Sequence, residues 1–184
     1  MFNGLNLKVK IMIHKKIITP VFLLFFVAFS FSQITTRKQQ KENIKQERVS
    51  QITQLVNSKE FKFVARRAFP QGYQSIDLST NNNYIEFKPD FITSEMPFFG
   101  VGYSGIGYGR DKGLSFEGKP IEYSIIKVKE VFELIARVKG DQDFYRISLS
   151  IFSEGNATLT ISSNNRSSIS YEGEISKIVV NKSN

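Results

Sequence analysis

From Phe61 onward, segment after segment of this chain places its apolar residues at every second position, a period that suits a pleated strand and no helix. Phe61, Phe63 and Ala65 alternate with Lys62 and Val64, Ile76 and Leu78 with Ser75 and Asp77, and Ile85 and Phe87 with Tyr84, Glu86 and Lys88. Phe132, Leu134, Ala136 and Val138 share one side, as do Tyr145, Ile147, Leu149 and Ile151, then Ala157, Leu159 and Ile161, and last Ile169 and Tyr171. The breaks between these runs are short, polar and rich in Gly, Asn or Asp: 139–143 (KGDQD), 153–156 (SEGN) and 163–166 (SNNR). Short turns join antiparallel neighbours, so residues 131–172 are expected to form a meander, and the half-polar strands leave one face of it wet. The fold class that follows is mostly β, an antiparallel β-sandwich or a partly closed barrel of about ten strands.

One helix precedes the strands. Residues 37–58 contain no Gly or Pro and many Gln, Lys and Glu. Stepping 100° per residue from Ile44 puts Leu55 at about 20°, Ile52 at about 80°, Val56 at about 120° and Val49 at about 140°. One apolar stripe therefore starts at Ile44, everything before it is polar all round, and Asn57-Ser58 closes the helix. The simplest use of that stripe is to dock the last turns on the β-domain. Binding or self-association through the helix is the alternative.

The first 32 residues have the pattern of an export signal. Lys8, Lys10, Lys15 and Lys16 precede 15 mostly apolar residues, Ile17–Phe31, and Ser30 and Ser32 hold the small-residue positions of a cut before Gln33. The run is short of the ~20 residues a permanent span needs, and Pro20 would kink such a helix. The expected organisation is a signal peptide at 1–32, a basic arm and helix at 33–60, a β-domain at 61–180 and a tail at 181–184. The expected location is the periplasm or the exterior.

Removing the leader also removes the single His, and the chain has no Cys or Trp. Ser–His–Asp and Cys–His catalysis and His- or Cys-ligated metals are then excluded, so no cofactor and no metal is expected. The net charge of +8 falls to +4, because the leader carries four lysines and no acid. Much of that remainder lies in the arm, where Arg37, Lys38, Lys41, Lys45 and Arg48 face only Glu42 and Glu47. The β-domain is close to balanced, which argues against nucleic acid as a partner.

Three motifs match chemistry by letter only. Gly100-Val101-Gly102-Tyr103-Ser104-Gly105 spells the dinucleotide fingerprint, but Ile106-Gly107-Tyr108-Gly109 follows where a helix would have to start. Ser124 and Lys127 spell S-x-x-K within a run that alternates as a strand, so an odd spacing puts them on opposite faces. Asp141-Gln142-Asp143 offers oxygen ligands to calcium, but two carboxylates in a hairpin turn are ordinary turn chemistry.

Residues 96–118 (MPFFGVGYSGIGYGRDKGLSFEG) hold seven of the twelve glycines among Phe98, Phe99, Tyr103, Tyr108 and Phe116. Glycine weakens a strand, so such a density calls for a reason: rings laid over neighbouring backbone, or a tyrosine-bearing rim that stacks a ligand. The candidate ligand-binding residues are Phe99, Tyr103, Tyr108 and Arg110. Pro97 holds Met96 extended, so a strand is expected to continue from Phe98, with Phe99 buried and Tyr103 on the same face at the edge of the core.

This segment also carries a resemblance. Met96-Pro97-Phe98-Phe99-Gly100, the Gly-Tyr repeats, Gly113-Leu114-Ser115-Phe116-Glu117-Gly118, and later Asn156-Ala157-Thr158-Leu159 and Ser170-Tyr171-Glu172-Gly173 resemble the pattern of the "domain of unknown function 4251" family, over about residues 48–176. Met96 and Phe98 stand where that pattern has Leu and Tyr, and the leader lacks the lipoprotein Cys of some members. The resemblance implies a secreted bacterial protein and a shared fold, with no activity attached. The reading that results is an exported, non-catalytic binding or scaffolding domain for an envelope or extracellular glycan, lipid or peptide, with its oligomeric state open. Its rival is a hydrolase built from carboxylates and tyrosines, such as Glu95, Asp111 and Glu117 around Tyr103 and Tyr108.

Overall fold

The computed structural model describes residues 37–80, 83–103, 113–140 and 143–179. Residues 37–58 form the helix α1, and the chain divides into two compact units between Gln46 and Glu47. In the first unit, residues 37–46 are helical and exposed, Ile44 included. Within the second unit, the apolar stripe of the helix begins at Val49. Val49 and Leu55 are half-buried, and Ile52 and Val56 join the core. Ser58 Oγ donates to the Leu55 carbonyl (2.7 Å), and Lys59 takes a left-handed φ of 58° that ends the helix. Among the described residues no helix is long and apolar enough to cross a membrane.

The second unit is one ten-stranded antiparallel sheet that curls into a nearly closed barrel. Its strands are β1 (Phe61–Pro70), β2 (Ile76–Asp77), β3 (Tyr84–Lys88), β4 (Phe91–Met96), β5 (Leu114–Gly118), β6 (Pro120–Val128), β7 (Val131–Lys139), β8 (Phe144–Ile151), β9 (Asn156–Ser163) and β10 (Ile169–Ser176). Of the two architectures that alternation allows, this is the barrel. The order is β5-β4-β3-β1-β10-β9-β8-β7-β6, with the short β2 beside β1. The meander expected over 131–172 is present as β7 to β10, with β6 added before it and β10 continuing to Ser176.

The inward face is the one that alternation marks. Phe132, Leu134, Ala136 and Val138 of β7, Tyr145, Ile147, Leu149 and Ile151 of β8, and Ala157, Leu159 and Ile161 of β9 are all buried. Phe61 and Phe63 of β1 are fully buried, and Phe61 packs on Phe87 with ring centroids 5.1 Å apart. Alternation breaks once in β1. A bulge between Ala65 and Arg67 leaves Arg66 and Arg67 both exposed, and the inward phase resumes at Ala68. Gly173 faces Ala65 there, and a Cβ at Gly173 would overlap the Val64 carbonyl oxygen.

The two edge strands, β5 and β6, are neighbours in sequence, with Lys119 alone between them. β5 reaches the far side of the barrel, where Phe116 stacks on Tyr145 of β8 at 4.0 Å and 9°. β6 is the more exposed edge: Ile121, Ile126 and Val128 face solvent, while Tyr123 and Ile125 rest against the core.

Candidate functional site

Two groups of turns mark opposite ends of the meander. At one end the last turns of α1 meet the β8–β9 turn, where Arg48 Nε donates to the Glu154 carbonyl (2.7 Å) and a Cβ on Gly155 would lie 2.6 Å from Ile52 Cδ1. The other end gathers the segment after β4, the β7–β8 turn and the β9–β10 turn.

That second end is tied by polar contacts. The strand expected from Phe98 is absent: β4 ends at Met96, because Pro97 has no N–H to continue the ladder. The Pro97 carbonyl instead accepts a hydrogen bond from the buried Tyr171 hydroxyl (2.5 Å). Residues 100–103 then lie along 165–167. Ser167 N donates to the Val101 carbonyl (2.9 Å), Tyr103 N to the Asn165 carbonyl (2.7 Å), and Val101 N to Ser167 Oγ (3.1 Å). Gly100 is required by this contact, since a Cβ would sit 2.5 Å from Ser167 Oγ and 2.7 Å from Phe98 Cζ.

The Asp143 side chain holds the two hairpin turns together. It is buried, and its carboxylate accepts from the N–H groups of Phe144 (2.7 Å), Asn164 (3.1 Å) and Asn165 (3.3 Å). That is a structural use of a carboxylate the sequence offered to calcium; Asp141 and Gln142 lie outside the described residues. Among the described residues, no three His, Cys, Asp or Glu side chains come together in a way that would hold a metal.

Of the four candidate residues, Phe99 is half-buried against the core and Tyr103 is 66 % exposed. Tyr108 and Arg110 lie outside the described residues. Tyr103 stands at a rim with exposed Val101, half-buried Phe98, and Arg166, whose guanidinium lies 5.0 Å from the Phe98 ring centroid. Sequence reasoning missed Phe98 and Arg166 as partners because they are far apart in the chain.

Beside this rim, on the outward face, is a groove of about 400 Å³ between β6 and the end of β9. Arg137 of β7 lies directly opposite Arg146 of β8, Glu122 of β6 lies on the far side of Arg137, and Ser162 of β9 lies on the far side of Arg146. Like charges facing each other across a ladder typically disfavour the sheet by a few tenths of a kcal/mol. Lys139 and Phe144 form the next pair toward the turn, with the ammonium 6.0 Å from the ring centroid. This groove did have a sequence signal. Counting outward from a hairpin turn at 140–143 pairs Arg137 with Arg146.

Of the carboxylates proposed for hydrolysis, Glu95 and Glu117 lie among the described residues, and each faces a neighbouring strand. Glu95 faces Ser115, from whose hydroxyl it accepts a hydrogen bond (3.0 Å), and Glu117 faces Thr93, both acids exposed on the outer side of β4 and β5. Asp111 lies outside the described residues. Ser124 and Lys127 lie on a strand, and the Lys127 ammonium covers the Phe132 ring (5.2 Å), so the two do not meet.

Residues 41–175 match the model of a family described as "Domain of unknown function (DUF4251)". The chain belongs to the DUF4251 family. Its fold is similar to that of a DUF4251 family protein from Bacteroides eggerthii known from a crystal structure. The two share 16 % identity at a TM-score of 0.55, over 71 % of this chain and 87 % of the other. At that identity the likeness concerns the fold alone. No curated protein matches the chain. DUF4251 membership thus agrees with the resemblance read from Met96–Gly100 and Gly113–Gly118, and it assigns no chemistry to the rim or to the groove.

Proposed function

We propose that this DUF4251 protein is exported to the bacterial envelope or beyond it, loses residues 1–32, and acts there as a non-catalytic binding domain. The observation that carries the reading is the rim. Tyr103 and Val101 are exposed, yet their backbone is fixed by hydrogen bonds to 165–167, so the ring is presented on a braced segment. A braced, exposed aromatic costs little entropy to engage, which is what a recognition surface needs. The exposed, outward positions of Glu95 and Glu117 support binding over hydrolysis.

The mature protein, screened against glycan, lipid and peptide panels, is expected to give a signal that Tyr103→Ala abolishes. Silence on all three panels combined with turnover of any substrate would overturn the reading. N-terminal sequencing of the protein from the periplasm or medium is expected to begin at Gln33. A chain that starts at Met1 or Met12 in the membrane fraction would contradict export with cleavage.

A further inference from the structure

We infer that the groove beside the rim binds a sugar unit carrying a single anionic substituent, sulfate, phosphate or carboxylate. The inference rests on the binding reading above and names the ligand class of a neighbouring surface. Its core is the pair Arg137 and Arg146, held face to face by strand register and both exposed. Among the described residues neither guanidinium makes an ion pair, although Glu122 occupies the adjoining register position. Asp143, the buried acid at the neighbouring turn, is already engaged by three backbone N–H groups. Two guanidinium groups borne on facing register positions, neither of them in an ion pair, suit a tetrahedral or planar anion, which a guanidinium can grip through two N–H groups.

The rest of the groove suits a sugar better than a bare ion. Glu122 and Ser162 flank the arginines on either side and can accept hydrogen bonds from hydroxyl groups. Phe144, 41 % exposed, offers a flat apolar surface for a sugar face. A volume of about 400 Å³ accommodates one or two sugar units, within the usual range for small-ligand sites. Glu122 also limits the site to one negative group, since a second would meet its carboxylate.

Isothermal titration of the mature protein with maltotetraose, sulfated maltotetraose, inorganic sulfate and phosphatidylglycerol vesicles tests this. The sulfated sugar is expected to bind and the neutral sugar not to. Arg137→Ala and Arg146→Ala should each weaken binding about tenfold or more, while Lys88→Ala, which removes one exposed positive charge elsewhere, should change it less than twofold. Phe144→Ala should weaken the sulfated sugar and leave inorganic sulfate as it was. Melting temperatures of both arginine variants should be unchanged or higher, because one of two facing like charges is gone.

Equal losses in Lys88→Ala and the arginine variants would reduce the effect to net charge and overturn the inference. So would vesicles binding more tightly than the sugar, or no binding by the unsubstituted protein to any probe. A Tyr103-dependent panel signal that persists while the arginine variants bind normally would overturn the groove and leave the binding reading standing. Loss of the panel signal with an intact arginine-dependent response would do the reverse.

Discussion

The two ends of the meander are closed by different physics. At the helix end, Ile52 and Val56 are pressed into the core beside Gly155, and the buried Phe61 and Phe87 rings pack tilted against each other. At the rim end, the closure is a set of hydrogen bonds: Tyr171 to Pro97, Ser167 to Val101, Asp143 to three N–H groups. Apolar closure depends on filling volume and tolerates no loss of it. Polar closure sets position, leaves the rings and arginines outside it partly bare, and so is the end where recognition chemistry can sit.

The contrast can be broken most severely at the core. Phe61→Ala is expected to cost about 3–5 kcal/mol in chemical denaturation, as a full truncation of a buried ring. Phe99→Ala, half-buried at the other end, should cost clearly less, about 1–2 kcal/mol in line with its partial burial. Equal losses would show that the rim end is as densely packed as the helix end. Gly155→Ala comes next, at about 1–3 kcal/mol, because φ is 93° and Ile52 Cδ1 occupies the space.

Alkaline pH addresses the tyrosines that hold the barrel from within. Burial pushes the Tyr123 hydroxyl up to about 12 and raises that of Tyr171 as well. The folded state therefore keeps protons that the unfolded chain releases near its ordinary value of 10.0. Stability is full below pH 10 and should fall as pH rises from 10 toward 12, visible as a dropping melting temperature. A flat profile across that range would mean these hydroxyls are not buried in solution. Tyr171→Phe should cost about 1 kcal/mol by removing the bond to the Pro97 carbonyl, and should increase amide exchange around 97–103 while leaving the helix end protected. The smallest effect is expected from Tyr103→Ala, within about 0.5 kcal/mol of unchanged, since an exposed ring contributes to contacts with a partner and little to folding.

How far alternation carries can be seen strand by strand. It identified every inward residue of β7, β8 and β9, because hairpin meanders have no freedom once their period is set. It failed to see that Arg66 and Arg67 share an exposure, since a bulge is a property of two paired strands and Gly173 lies over a hundred residues away. The placing of β1 between β3 and β10 is a long-range pairing that local periodicity does not encode. The same reason hid half of the candidate site. The pairing of Arg137 with Arg146 follows from counting around a turn, whereas Arg166 reaches Phe98 from another hairpin. Pro97 was legible as an extended-chain residue, but its missing N–H ended the strand that its conformation favours.

The solitary Lys119 between the two sheet edges has a consequence for assembly. Cutting the chain there would leave two meanders, β1 to β5 and β6 to β10, joined in the sheet by the ladder of β1 with β10. In thermodynamic terms the barrel is a heterodimer whose halves are tethered by one residue, the tether supplying only a high effective concentration. Two co-expressed polypeptides divided at Lys119 are therefore expected to recombine one to one. Each half alone would carry an open strand edge, β1 or β10, and should aggregate until it meets its complement.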